Sequence, residues 1–212
     1  MKNRDGPHYF AMLKNRVRPH FLLLLAAVAL LFSGCGGGGG ENKSLVQGKA
    51  LLAEGKYDAA VAELSKATAE DRNSMEAWLN LGHAYRGLKK YDNALSAYVA
   101  AKKIDRHSVA PHVAHAKVQV EMGNVELATT ELNFVVEMDP KNLEALILLG
   151  RVSQMPHKLP DGTTGVSHAS LERAELNLEA AATLAPQNAE VKSELASVRS
   201  KLAELKNPAG KK

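Results

Sequence analysis

An all-α solenoid of four helix-turn-helix units closed by a C-terminal helix is what the 212-residue sequence predicts, on three observations. Gly48, Gly82, Ala116 and Gly150 stand 34 residues apart, and so do Ala60, Ala94 and Ala128, and again Ala67, Ala101 and Val135. Three columns in one register are an internal repeat, in which each unit buries its apolar face only by stacking on its neighbours. Within residues 75–108, Trp78, Leu81, Gly82 and Tyr85 fall at helical spacing, and a second helical set follows the Leu88-Lys89-Lys90 turn in Tyr91, Ala94, Tyr98 and Ala101. Each unit is therefore two antiparallel helices, with the small residues at the close approach of their backbones.

Taken in order, residues 1–34 read as a lipoprotein signal peptide. Phe21 to Phe32 is an uncharged apolar run of 12 residues behind a basic stretch, too short to span a bilayer comfortably and suited to a signal core. Met12 opens a more typical leader than Met1. Removing the five Lys/Arg and one acid of residues 1–34 from the chain's 27 and 23 leaves 22 of each, so the mature chain is neutral and a nucleic-acid partner is not expected. Residues 35–43 hold Cys35, the sole thiol, and the run Gly36 to Gly40, a tether above a membrane surface. Residues 44–188 hold the four units, at 44–74, 75–108, 109–142 and 143–188. In the fourth, the alanine due at position 162 arrives at Ala174, which marks a 12-residue insertion near 155–170, rich in Pro and Gly. Residues 189–206 form the closing helix. Its stripe of Val191, Leu195, Val198, Leu202 and Leu205 either caps unit four or forms a seam between two copies of the chain. Residues 207–212 are a disordered basic tail.

The motif W-x2-L-G-x2-Y in Trp78, Leu81, Gly82 and Tyr85, then A-x3-Y in Ala94 and Tyr98, on a 34-residue period, resembles the tetratricopeptide repeat over roughly Asn42 to Asn188. Ser44, His112 and Leu146 stand at the tryptophan position, Arg72 and Arg106 at the turn proline that Pro140 and Pro186 keep, and Gln47 and His115 where leucine is usual. Leu31-Phe32-Ser33-Gly34-Cys35 resembles the bacterial lipobox, which implies a covalent lipid on Cys35 and no other cofactor. Three acyl chains make a stable anchor where one does not. The resemblance to Gram-negative lipoproteins implies the periplasmic face of the outer membrane, and the combination resembles pilotin-type and other envelope assembly factors.

The repeat family further implies ligand contacts at the fifth and ninth positions of each unit. Here the fifth positions are Leu45, Leu79, Val113 and Ile147, and the ninth are Lys49, His83, Lys117 and Arg151. An apolar column beside a basic one suits an extended or helical partner segment with apolar anchors and acidic groups. The same columns could instead pack neighbouring helices and form a solvated edge. His112 and His115 share a helix face, but no cysteine or evident carboxylate completes a metal set. Asp161, Ser167 and His168 have hydrolase residue types without an oxyanion turn. No phosphate loop or redox motif appears, and the expectation is a binding adaptor, not an enzyme.

Overall fold

The computed structural model describes residues 42–159 and 162–206, which fall within one compact unit, residues 41–212. The leader, Cys35, Asp161 and the tail after Lys206 lie outside the described residues.

Nine helices occur among the described residues. They are α1 Lys43–Ala53, α2 Tyr57–Glu70, α3 Met75–Gly87, α4 Tyr91–Ile104, α5 Val109–Glu121, α6 Val125–Met138, α7 Leu143–Val152, α8 His168–Leu184 and α9 Ala189–Lys206. Each odd helix up to α7 pairs with the next even one, and each even helix packs on the following odd one. Successive first helices, α1, α3, α5 and α7, also touch in sequence, which the second helices do at most marginally. The first helices thus share one continuous face.

The small-residue column explains the close pairing within each unit. Leu64, Tyr98, Leu132 and Leu178, the residues of the second helices facing that column, are fully buried. A Cβ on Gly48 would lie 2.5 Å from Leu64 Cγ, one on Gly150 would lie 2.6 Å from Leu178 Cγ, and one on Gly82 would penetrate the Tyr98 ring. A side chain at any of these three positions requires the facing residue or its helix to move.

Two kinds of turn repeat. Between units, Asp71, Asp105 and Asp139 accept hydrogen bonds from the backbone N–H of Asn73, His107 and Lys141, and Ser74 and Asn142 cap the next helix by accepting from Ala77 N and Ala145 N. Within units, the chain turns through a left-handed residue: Gly55 (φ 72°), Lys89 (φ 57°) and Gly123 (φ 78°). Lys89 is the one non-glycine residue with positive φ among the described residues. The left-handed conformation costs a non-glycine residue about 1–2 kcal/mol, of which roughly half is offset by its smaller loss of chain entropy on folding.

The insertion is more ordered than its Pro and Gly content predicts. His157–Lys158 pairs antiparallel with Thr164–Gly165 as the short strands β1 and β2. Ser167 then caps α8 by accepting from Ser170 N at 3.0 Å.

The helix α9 packs its apolar stripe against unit four. Val191, Leu195, Val198 and Leu202 are buried in one cluster with Leu146, Leu171 and Leu178, leaving only Leu205 of the stripe exposed. The surface that a second copy of the chain would need is occupied by the solenoid itself. Arg199 reaches back to Glu175 and Glu179 of α8, and Asn188 caps the helix through Val191 N.

Candidate functional site

The shared face of the first helices carries both predicted columns, and the structure treats them differently. In the apolar column, Leu45 and Leu79 are half-buried, packing against separate clusters, and Ile147 is half-buried against the α8–α9 cluster. Val113 is only 5% exposed and belongs to the core around α5 and α6. It is withdrawn from any ligand because the neighbouring helices close over it.

The basic column is paired step by step with glutamates of the following first helix. Lys49 Nζ meets Glu76 Oε1 at 2.5 Å, Lys117 pairs with Glu144, and Arg151 donates through Nε to Glu194 at 2.8 Å and through Nη2 to Glu190 at 2.7 Å. Glu76, Glu144 and Glu190 are each the second residue of a first-type helix. There they also answer the positive end of the helix dipole. The expected open basic ladder is thus a row of rungs, each joining one unit to the next. Half-exposed pairs of this kind add about 0–1 kcal/mol each, so their main effect is on register.

One rung is missing. Its glutamate position is Ala110, and its cation position is His83. His83 Nδ1 shares a 2.9 Å hydrogen bond with the buried Tyr98 hydroxyl. Burial, reinforced by the charges of Arg86 and Lys117, lowers the His83 imidazole to about 4, and burial pushes the Tyr98 phenol up. The ladder therefore omits cation and anion together, and His83 acts as a neutral hydrogen-bonding group.

His112 and His115 meet a carboxylate that sequence reasoning missed. Glu131 of α6 accepts from Lys102 of α4 at 2.7 Å and pairs with His112 Nδ1 at 2.7 Å, with His115 Nδ1 at 3.4 Å. The His112 ring lies 4.4 Å from that of Phe134. Because an ammonium already occupies Oε1, this set serves as a polar pin between units two and three. Burial raises the Glu131 carboxyl, but the hydrogen bonds from Lys102 and His112 and the nearby charges outweigh it and hold it below its ordinary value. Burial first, then the Lys102 charge, lowers the His115 imidazole.

Among the described residues of the insertion, Ser167 and His168 are engaged elsewhere. Ser167 is a helix cap, and His168 sits 3.3 Å from Glu172 on the surface. Ser170, buried in the first turn of α8, instead bonds His157 Nε2 at 3.2 Å and Ser167 Oγ at 2.8 Å. That arrangement fastens the β1–β2 hairpin to α8 and spends the hydroxyl in doing so. No described helix is long and apolar enough to cross a membrane.

Comparison with known proteins agrees with this architecture. Residues 45–108 match the family described as "Tetratricopeptide repeat". The chain is 31% identical over 110 residues to the anaphase-promoting complex subunit cut9 of Schizosaccharomyces pombe, spanning 52% of this chain and 16% of that protein's length. Among solved structures, the first repeat domain of Spaghetti (RPAP3), bound to the HSP90 peptide SRMEEVD, aligns with a TM-score of 0.53 at 21% identity, covering 63% of this chain and 96% of that one. YrrB, a protein of the same repeat with an unusual peptide-binding site, aligns at 0.57 and 18% identity, covering 74% and 75%. At these identities the likeness is one of fold. Residues 45–108 belong to the tetratricopeptide repeat family, and the described residues as a whole form a solenoid of such repeats.

Proposed function

We propose that the protein is a membrane-anchored adaptor that captures a segment of a partner protein along the face of its first helices. The observation that carries this reading is the face itself. α1, α3, α5 and α7 align one surface on which half-buried Leu45, Leu79 and Ile147 alternate with the ionic rungs at Lys49, Lys117 and Arg151. Apolar anchors of an extended or helical segment fit between the rungs, while its acidic groups compete with Glu76 and Glu144 for their cations. Peptide capture by other proteins of this repeat is consistent with that use.

The anchor is the lipid expected on Cys35. It would hold the groove at the periplasmic side of an envelope membrane and raise the partner's effective concentration there, a role in the assembly of a pilus, secretion or other envelope machine. The burial of the α9 stripe on unit four supports a scaffold over a repeat that self-assembles through that helix.

A photoreactive amino acid at Lys49, on the first-helix face, is compared in intact envelopes with one at Leu176, an exposed position of α8. Position 49 is expected to crosslink to one protein and position 176 not to. Cys35→Ser should release the chain from the membrane fraction and lower the yield. Equal crosslinking from both positions, or a yield indifferent to Cys35, would count against the anchored groove.

A further inference from the structure

Near the C-terminal ends of α1, α3 and α5 the molecule has a cavity of about 580 Å³, lined by Tyr57, His83, Arg86, Lys89, Tyr91 and Glu121 among others. Arg86 and Glu121 form an ion pair across successive first helices. Its hydrogen bonds raise the Arg86 guanidinium further above neutrality, and His83 is neutral, so Lys89 leaves the cavity with one cation in excess.

Lys89 is also the residue at which the fold accepts strain. Its 34-residue counterparts, Gly55 and Gly123, take the same left-handed turn as glycine, with open space where a side chain would begin. A lysine there costs stability that a glycine would return. Residues held in such strained conformations cluster at ligand clamps and other functional sites. The strained lysine lines this cavity, at the turn that follows Arg86 and Gly87.

We propose that this cavity is a carboxylate subsite, in which Lys89 and Arg86 receive an acidic side chain of a partner segment. This rests on the reading of the first-helix face as the partner's seat. Glu121 Oε1 takes both described bonds from Arg86, so the guanidinium keeps donors for a second carboxylate. The phenols of Tyr57 and Tyr91 offer flanking donors and rings against which the stem of a glutamate can lie. In such a site the entering anion balances the cation that the Arg86–Glu121 pair leaves in excess.

The test uses the full chain, ¹⁵N-labelled, titrated with glutarate as a mimic of an acidic side chain. Saturable shifts confined to the amides around Arg86, Gly87 and Lys89 are expected in the millimolar range. Lys89→Gly should weaken the response at least about tenfold while raising the melting temperature by roughly 2–4 °C, since the strain is relieved. An unchanged response in that variant, or diffuse unsaturable shifts, would overturn the proposal. A tighter response to inorganic phosphate than to glutarate at the same amides would overturn the carboxylate assignment. If Lys89→Gly loses nothing while the position-49 crosslink persists, the subsite fails and the groove stands. A localised glutarate response without any crosslink would retain the subsite and remove the groove.

Discussion

Gly82→Val is expected to destabilise the solenoid by roughly 3 kcal/mol, near the upper end for overpacking a closed core. A Cβ at this position would stand inside the ring of Tyr98, which is fully buried and bonded to His83 and so has nowhere to turn. Either α3 and α4 separate, exposing Ala94 and Ala101, or Tyr98 leaves its site and breaks the only polar contact that satisfies its hydroxyl among the described residues. Urea unfolding read by circular dichroism measures the loss. Unit three shows how the column tolerates a larger residue: it carries Ala116 opposite the smaller Leu132. The pair Gly82→Ala with Tyr98→Leu copies that solution and should come within about 1–2 kcal/mol of the wild type, a coupling expected for residues in contact. If Gly82→Val alone costs nothing, the glycine column does not set the spacing of the helices.

Glu131→Ala is the second large effect, at about 3 kcal/mol near neutral pH. It strips the partner from Lys102 and His112, whose side chains are only 16% and 14% exposed. Removing one member of a buried ionic set costs more than the intact set is worth, because the remaining charge stays desolvated. The apolar replacement Lys102→Met with His112→Leu and Glu131→Leu should recover most of the loss.

The same groups fix the sign of the pH dependence. His83 and His115 have folded-state values below the ordinary 6.5. As pH falls through 6.5 the unfolded chain therefore takes up protons that the folded chain refuses, and stability drops until His83 titrates at about 4. Glu131, also held below its ordinary value, loses its contribution as pH falls further. His83 alone should lower stability by roughly 1–2 kcal/mol between pH 7 and 5. Urea midpoints that do not move over that interval would contradict the buried, neutral assignment of these rings.

Much of the architecture is legible in the sequence because it rests on periodic constraints. Gly48, Gly82, Ala116 and Gly150 must be small for one reason, the side chain that covers each. The counting that exposes the column also exposes the 12 residues added to unit four. The order inside that insertion is not legible, since the pairing of His157 with Gly165 and the bond from Ser170 to His157 depend on contacts with no repeating counterpart. The ionic rungs were within reach. Lys49 to Glu76 and Lys117 to Glu144 share a separation of 27 residues, and Arg151 to Glu190 is that separation lengthened by the insertion to 39. Reading columns within one unit reveals the cations and overlooks the anions, which belong to the next. Glu131 was hidden for a related reason. Nothing in its own helix marks it, and its importance comes from three basic side chains on two other helices.

Charge reversal of single ladder cations would set glutamate against glutamate and confuse binding with folding. Exchanging whole rungs avoids this. The variant Lys49→Glu with Glu76→Lys and Lys117→Glu with Glu144→Lys keeps each pair and reverses its direction along the first-helix face. Affinity capture from detergent-solubilised envelopes, with wild type and variant matched by circular dichroism and melting temperature, tests the central claim most directly. A partner retained by the wild type and lost from the equally folded variant is the predicted result. A partner held equally by both would contradict it, and would leave the rungs as devices of register alone.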